Sequence, residues 1–280
     1  MSAGAFDQYL TQWREASPQR STAWLFLRPA EQRRYGALAA LEREWIKVLR
    51  EVTEPQVATI KLGWWREEMQ RACAGAASHP LTQALFAEAD ACDIASVYWT
   101  AAIDAAALAV DPVPPADFAA QRAAALPFAQ ALAQLETALW FGPGKPVARA
   151  CEAVVLAWLL DGLMALGPEL ARGRSPLPMN LLARHGLAVA GLATDGAARR
   201  GALHDYVAEL AQALVTADRM EGPLTLFRAT ELTADRATLR RAARAPDPLR
   251  GLVAPRHGLR NLIKTWRAAR AWRRAARRAD

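Results

Sequence analysis

Cysteine is scarce in this chain: Cys73, Cys92 and Cys151 are the only three in 280 residues. An odd number with no CxxC and no Cys/His spacing argues against a disulfide framework and a zinc site, and fits a reducing compartment. Histidine numbers four, and the spacing supports no Ser/His/Asp or Cys/His arrangement. Long apolar runs are missing too. The most apolar stretch, AVVLAWLLDGLMAL from Ala153 to Leu166, is too short to span a bilayer and contains Asp161. The opening MSAGAFDQYLTQWREASPQR has no apolar segment of the kind a secretory signal needs. Neither a signal peptide nor a transmembrane helix is expected, and the expected location is cytoplasmic. No internal period of about 20–50 residues is present, which argues against a solenoid.

What is present favours helix. Hydrophobic residues make up 52% of the chain and charged residues 22%, with abundant alanine and few β-branched runs. An all-α protein follows, long enough for one large helical domain or two small ones, with a sizeable core. The net charge of +7 is unevenly placed. From Arg256 to Asp280 nine basic residues face one acid, a local +8, so the remaining residues sum to −1.

Proline punctuates the helices. Pro29 opens one that Thr53 and Pro55 stop, and Pro55 opens the next, so the two should be antiparallel neighbours. Pro127 should kink the helix that contains it. After the loop FGPGKP, a helix from Val147 to about Leu170 is apolar nearly all round and reads as the buried central one. APDPLRGLVAP then sets off a basic last helix. The expected organisation is a single helical bundle around a cavity over residues 1–250, followed by a basic amphipathic helix over 251–280.

Four segments, FLRPAEQRRYGALAAL, EPQVATIKLGWWREEM, HPLTQAL and ARGRSPLPMNLLARHGL, in this order and at these separations, resemble the squalene/phytoene synthase superfamily of the isoprenoid synthase fold. Its enzymes join two prenyl diphosphates head to head inside an all-α bundle. KLGWWREE and ARGR..LP..LLARHG are the specific blocks. The likeness covers roughly the first two-thirds of the chain, and beyond about Leu187 only helical character continues.

The resemblance implies two DxxxD motifs on facing helices. Carboxylates at i and i+4 share one helix face, so they can hold Mg²⁺ that bridges to the diphosphate and favours its ionisation. Aligned on the flanking blocks, the first motif's acids fall at Ile46 and Arg50, with Lys47 in place of an acid that often follows the first. The second motif's fall at Ala165 and Glu169, so one position of four keeps a carboxylate. A guanidinium at Arg50 would oppose a metal ion placed beside it. EREWIKVLREVTEP, IDAAALAVDPVPP and LLDGLMALGPELARGR further resemble a divergent branch with degraded metal motifs. That branch includes the mitochondrial complex I assembly factor of the phytoene-synthase-like type and its bacterial relatives.

Several residues admit two readings. Arg43, Lys47 and Arg50 share one helix face, either as a cationic wall that binds an anion without metal or as a solvated face paired with Glu44 and Glu51. Asp161 either faces a cavity and holds a polar ligand or pairs with an arginine of a neighbouring helix. The resemblance puts Arg172 and Arg174 beside the diphosphate, whereas the helix dipole alone already favours cations there. Trp64, Trp65, Trp99, Trp140 and Trp158 read as core in preference to the lining of a prenyl tunnel. His79 and His185 read as capping or packing residues.

In the tail, Leu259, Leu262, Ile263 and Trp266 form an apolar stripe among Arg260, Lys264, Arg267, Arg270, Arg274 and Arg278, with Trp272 joining Trp266 at the interface. Such a helix suits an anionic membrane surface or an acidic protein partner, and no motif for specific nucleic acid accompanies it. The alternative is a helix docked on the bundle with its basic face in water.

Two functions follow. The first is a binding or assembly protein at the inner face of the membrane, with no catalytic residue, metal or other cofactor, whose ligand is a prenyl lipid or a diphosphate anion. The second is an active, Mg²⁺-dependent transferase of isoprenoid biosynthesis acting on farnesyl or geranylgeranyl diphosphate. It takes its carboxylates from Asp104, Asp161 and Glu169, which must then converge. The missing acids favour the first, because ionising a diphosphate without a metal cluster forgoes a large electrostatic term.

Overall fold

The computed structural model describes residues 3–87, 89–110, 113–253 and 259–276, without the side chains of 3, 259–261 and 275–276. These residues form α1 (Ala3–Glu15), α2 (Pro18–Trp24), α3 (Pro29–Glu51), α4 (Pro55–Cys73), α5 (Pro80–Phe86), α6 (Ala89–Cys92), α7 (Ser96–Leu108) and α8 (Phe118–Phe141). There follow α9 (Ala148–Met164), α10 (Leu166–Ala171), α11 (Met179–Arg184), a 3₁₀ turn at Val189–Ala193, α12 (Ala197–Ala217), α13 (Leu226–Arg244), α14 (Pro248–Leu252) and α15 (Leu259–Ala276). Among the described residues there is no strand, as the composition implied.

Helices α2, α3, α4, α5 and α14 each open on proline, where the missing N–H would be unpaired anyway and the ring's fixed φ is already helical. His79, Asp117, Thr225 and Asp247 accept a backbone N–H at the starts of α5, α8, α13 and α14. Pro127 sits within α8, which runs through it. The long helix expected from Val147 to Leu170 is instead broken: α9 ends at Met164, Ala165 takes φ −91° and ψ 24°, and α10 follows. Pro168 explains the break, because it has no N–H for the carbonyl of Met164 and its ring would collide with it.

Helix α9 is central, packed against α8, α12 and α13. Trp45, Trp99 and Tyr206 are wholly enclosed. Two of the sequence blocks meet where α4 turns into α5. Glu68, fully buried, accepts hydrogen bonds from the backbone N–H of Ser78 and of His79, both at 2.8 Å, and from the hydroxyls of Ser78 and Thr82. The His79 ring lies 4.8 Å from that of Trp65, and its Nε2 is 3.2 Å from the Tyr9 hydroxyl.

The last helix, α15, packs across α2 and α13. Trp272, expected at the outer surface beside Trp266, turns inward instead: it is 5% exposed, with its ring 5.1 Å from Trp140 and 6.3 Å from Tyr35. Helical phase is the reason, since Thr265, Ala269 and Trp272 recur at i, i+4 and i+7 and form the buried stripe. Arg273 fastens the helix by donating to the Phe26 carbonyl at 2.8 Å. Helices α14 and α13 approach closely enough that a Cβ at Gly251 would lie 2.4 Å from the Cα of Ala242. Gly251→Ala should force them apart and lower stability by about 2 kcal/mol, measured as a shift of the urea unfolding midpoint.

Candidate ligand-binding recess

Arg50 stands in the last turn of α3. The break at Ala165 sets α10 so that Glu169 faces it. Arg50 Nη1 is 3.6 Å from Glu169 Oε1, and Arg174 Nε is 3.0 Å from Glu169 Oε2. Arg174 also donates to the carbonyls of Leu49 at 3.1 Å and Arg50 at 2.9 Å, which the end of α3 leaves without intrahelical partners. Arg50 donates to the Trp158 carbonyl at 2.5 Å and lies 4.0 Å from the centroid of that ring. Gly162 leaves the room required, because a Cβ there would sit 3.4 Å from Arg50 Nη1. Burial lowers the pKa of Arg50, and the nearby charges of Asp161 and Glu169 oppose that shift.

Beyond this cluster the bundle contains a recess. Asp161, on α9, exposes much of its surface yet is closely surrounded by protein, so it stands in a concave part of the bundle. Burial raises its pKa, against the pull of Arg50 and Arg20. Asp235, on α13, is raised well above the usual aspartate range, first by burial and then by the charges of Glu231 and Asp161. Neither carboxylate has a hydrogen bond or ion pair with a described residue.

A closed network lies next to them. Arg228 Nη2 is 2.6 Å from both Glu42 and Glu136, Arg228 Nη1 is 3.6 Å from Glu231, and Arg20 Nε is 2.8 Å from Glu231. Burial raises the pKa of Glu136 in spite of Arg228. At Glu231 burial also acts upward, but Arg20 and Arg228 outweigh it and hold the carboxyl low.

The family profile of squalene/phytoene synthase matches residues 13–260. The chain belongs to the squalene/phytoene synthase family. A dehydrosqualene synthase, solved in complex with a ligand, shares the fold with a TM-score of 0.71 at 12% identity, over 97% of this chain and 97% of that one. The squalene synthase HpnC from Alicyclobacillus acidocaldarius superposes with a TM-score of 0.56 at 18% identity, over 98% of this chain and 95% of that one. At these identities the likeness is one of fold. No curated protein matches the sequence.

Ile46, Arg50, Ala165 and Glu169 are the four positions the sequence blocks single out. Arg50 and Glu169 do face each other across two helices, but as an ion pair. Ile46, Arg50, Ala165 and Glu169 do not fit a Mg²⁺ site, because they offer one carboxylate and guanidinium groups engage both of its oxygens. Among the described residues no three His, Cys, Asp or Glu side chains are grouped to hold a metal ion.

The remaining candidates scatter. Lys47 folds onto its own helix to meet Glu44 at 2.6 Å. Arg43 is half-buried, and its Nε is shielded from solvent without a partner. Arg172 donates to the Pro168 carbonyl at 3.1 Å, closing the last turn of α10. Asp104 does not converge with Asp161 and Glu169: α7 buries Trp99, Ala102, Ile103 and Ala106, which turns Asp104 outward to pair with Arg66 at 2.8 Å. Trp65, Trp99 and Trp140 are core, Trp64 is 42% exposed, and Trp158 is half-buried beneath Arg50. His185 packs against Gly201 and meets Asp205 at 2.9 Å. Lys264, Trp266, Arg267 and Arg270 are exposed on α15, and the side chain of Arg260 lies outside the described residues, as does Arg278. Sequence reasoning missed Arg20, Glu42, Glu136, Arg228, Glu231 and Asp235. The i, i+4 spacing of Glu231 and Asp235, two acids on one helix face, was the available signal.

Proposed function

We propose that this squalene/phytoene synthase family protein binds a prenyl lipid or prenyl diphosphate in the recess without ionising it. It acts as a binding or assembly factor at a membrane surface, like the divergent branch that its sequence resembles. The observation that carries this reading is the Arg50–Glu169–Arg174 cluster. It neutralises, within the protein, the one carboxylate at the four aligned positions. Ionising an allylic diphosphate calls for metal cations on the leaving group, and an arginine-held Glu169 recruits none. Arg50, whose charge acts on Asp161 in the recess, can meet a diphosphate directly. Asp161 and Asp235 hold their protons to higher pH than ordinary aspartates, which lessens their repulsion of an anionic head group.

Mg²⁺-dependent condensation would require Glu169 to leave both guanidinium groups and expose a buried charge, at a cost of about 3 kcal/mol or more. No described helix is long and apolar enough to cross a membrane, so the membrane contact in this reading is peripheral and made by α15. Incubated with farnesyl diphosphate and Mg²⁺, the pure protein should release no pyrophosphate above the buffer rate. Calorimetric titration with farnesyl diphosphate should give the same affinity with Mg²⁺ or with a chelator. Mg²⁺-dependent pyrophosphate release would defeat the reading.

A further inference from the structure

Between the start of α9, the end of α12, α13 and α15 lies a groove of about 510 Å³ bordered by Arg149, Asp218, Arg236, Lys264, Arg267 and Trp272. It carries four cations against one acid. Asp218 is already engaged by Arg149 at 3.8 Å and by Arg236. Lys264 and Arg267 are exposed, and neither has a partner among the described residues. Two cations on one rim of a concave site, with the one carboxylate among its described lining residues already paired, form a site for an anion.

The neighbouring surface narrows the class of anion. Toward solvent on α15, Ile263 is 44% and Trp266 45% exposed, while Thr265, Ala269 and Trp272 hold the buried side on the bundle and Leu262, seven residues before Ala269, lies at the margin of that buried stripe. The helix is therefore anchored, with its unburied apolar residues one turn or less from the groove. Arg270 lies over the Trp266 ring at 4.7 Å, and Arg274 extends the basic edge. An exposed isoleucine, an interfacial tryptophan and a cation-lined cleft carried by the same helix match the layers of a membrane surface. A polyanion such as nucleic acid would use the charge and leave the apolar residues without a role.

We propose that α15 docks on an anionic membrane with Ile263 and Trp266 in the interface, and that the α13–α15 groove takes the phosphate head group of an anionic phospholipid, held by Lys264 and Arg267. This rests on the membrane-surface part of the reading above and is independent of what occupies the recess.

The test is flotation of the full chain with phosphatidylcholine vesicles, with and without phosphatidylglycerol. Two double variants that remove equal charge are compared: Lys264→Gln with Arg267→Gln in the groove, and Arg270→Gln with Arg274→Gln at the outer edge. All four side chains are exposed and in no ion pair with a described residue, so neither variant should disturb folding. The native protein should bind only the anionic vesicles, and the groove pair should weaken binding by about tenfold more than the edge pair, beyond what diffuse charge alone provides. Equal losses in the two variants would overturn the groove assignment while leaving the membrane contact in place. No binding of the native protein to anionic vesicles would overturn both, and heparin binding in that case would assign the surface to a polyanionic macromolecule.

Discussion

Replacing Arg228 with methionine should lower the stability of the fold by about 4 kcal/mol, the loss typical of removing one partner from a buried ion cluster. Arg228 on α13 is the shared counter-ion of Glu42 on α3, Glu136 on α8 and Glu231 on its own helix, and Arg20 on α2 completes the network through Glu231. Methionine fills much of the same volume, so packing is largely kept and the deficit is electrostatic. Three carboxylates then remain with only Arg20 close by. In the variant these acids should hold protons in the folded state to a higher pH than when unfolded. Acids with raised folded pKa values lose stability as pH rises, so the deficit should be larger at pH 8 than at pH 5. Urea unfolding followed by tryptophan fluorescence at the two pH values measures this. Arg228→Lys, which keeps the charge and loses the planar fork, should recover only part of the loss. A deficit that is the same at both pH values would mean that lost packing, not charge, sets the cost.

Glu68→Gln should lower stability by about 2 kcal/mol at neutral pH, because backbone N–H groups of Ser78 and His79 lose a charged acceptor and the amide brings a donor into a site full of donors. The hydrogen bonds from the His79 and Ser78 backbones and from the Ser78 and Thr82 hydroxyls overcome the upward effect of burial and hold the Glu68 carboxyl at about 2. Its folded pKa therefore lies below the unfolded value, and the stabilisation it supplies is present above about pH 4.5 and lost as pH falls toward 2. The carboxylate is closed to solvent but lies near the protein surface, so nearby water keeps its contribution closer to about 2 than to the 3 kcal/mol that the full shift would give. The stability difference between the native protein and Glu68→Gln should shrink between pH 6 and pH 3 in chemical denaturation. A constant difference would show that the ionised form is not what holds α4 to α5.

Much of the architecture was legible because its signals are local. Prolines at the first turns of α3, α4 and α5 mark helix starts whatever surrounds them. The break before α10 could also have been read, since GPEL puts proline where a continuous helix needs a donor. Trp272 was harder. An amphipathic pattern tells which residues share a face, and the tail has apolar residues on more than one. Which face docks depends on the groove offered by α2 and α13.

The primary structure was sufficient for the all-α class, the family blocks and the absence of acids at Ile46, Arg50 and Ala165, because each is a matter of residue type, proline placement or short-range spacing. Partnership between distant side chains came from folding. Arg50 meets the Trp158 carbonyl across 108 residues of chain, and Arg228 meets Glu42 across 186. Whether Asp161 found an arginine or a recess, and whether Asp104 pointed in or out, depended on the rotation of each helix against its neighbours. That rotation is set by packing over the whole bundle, and no local run of residues encodes it.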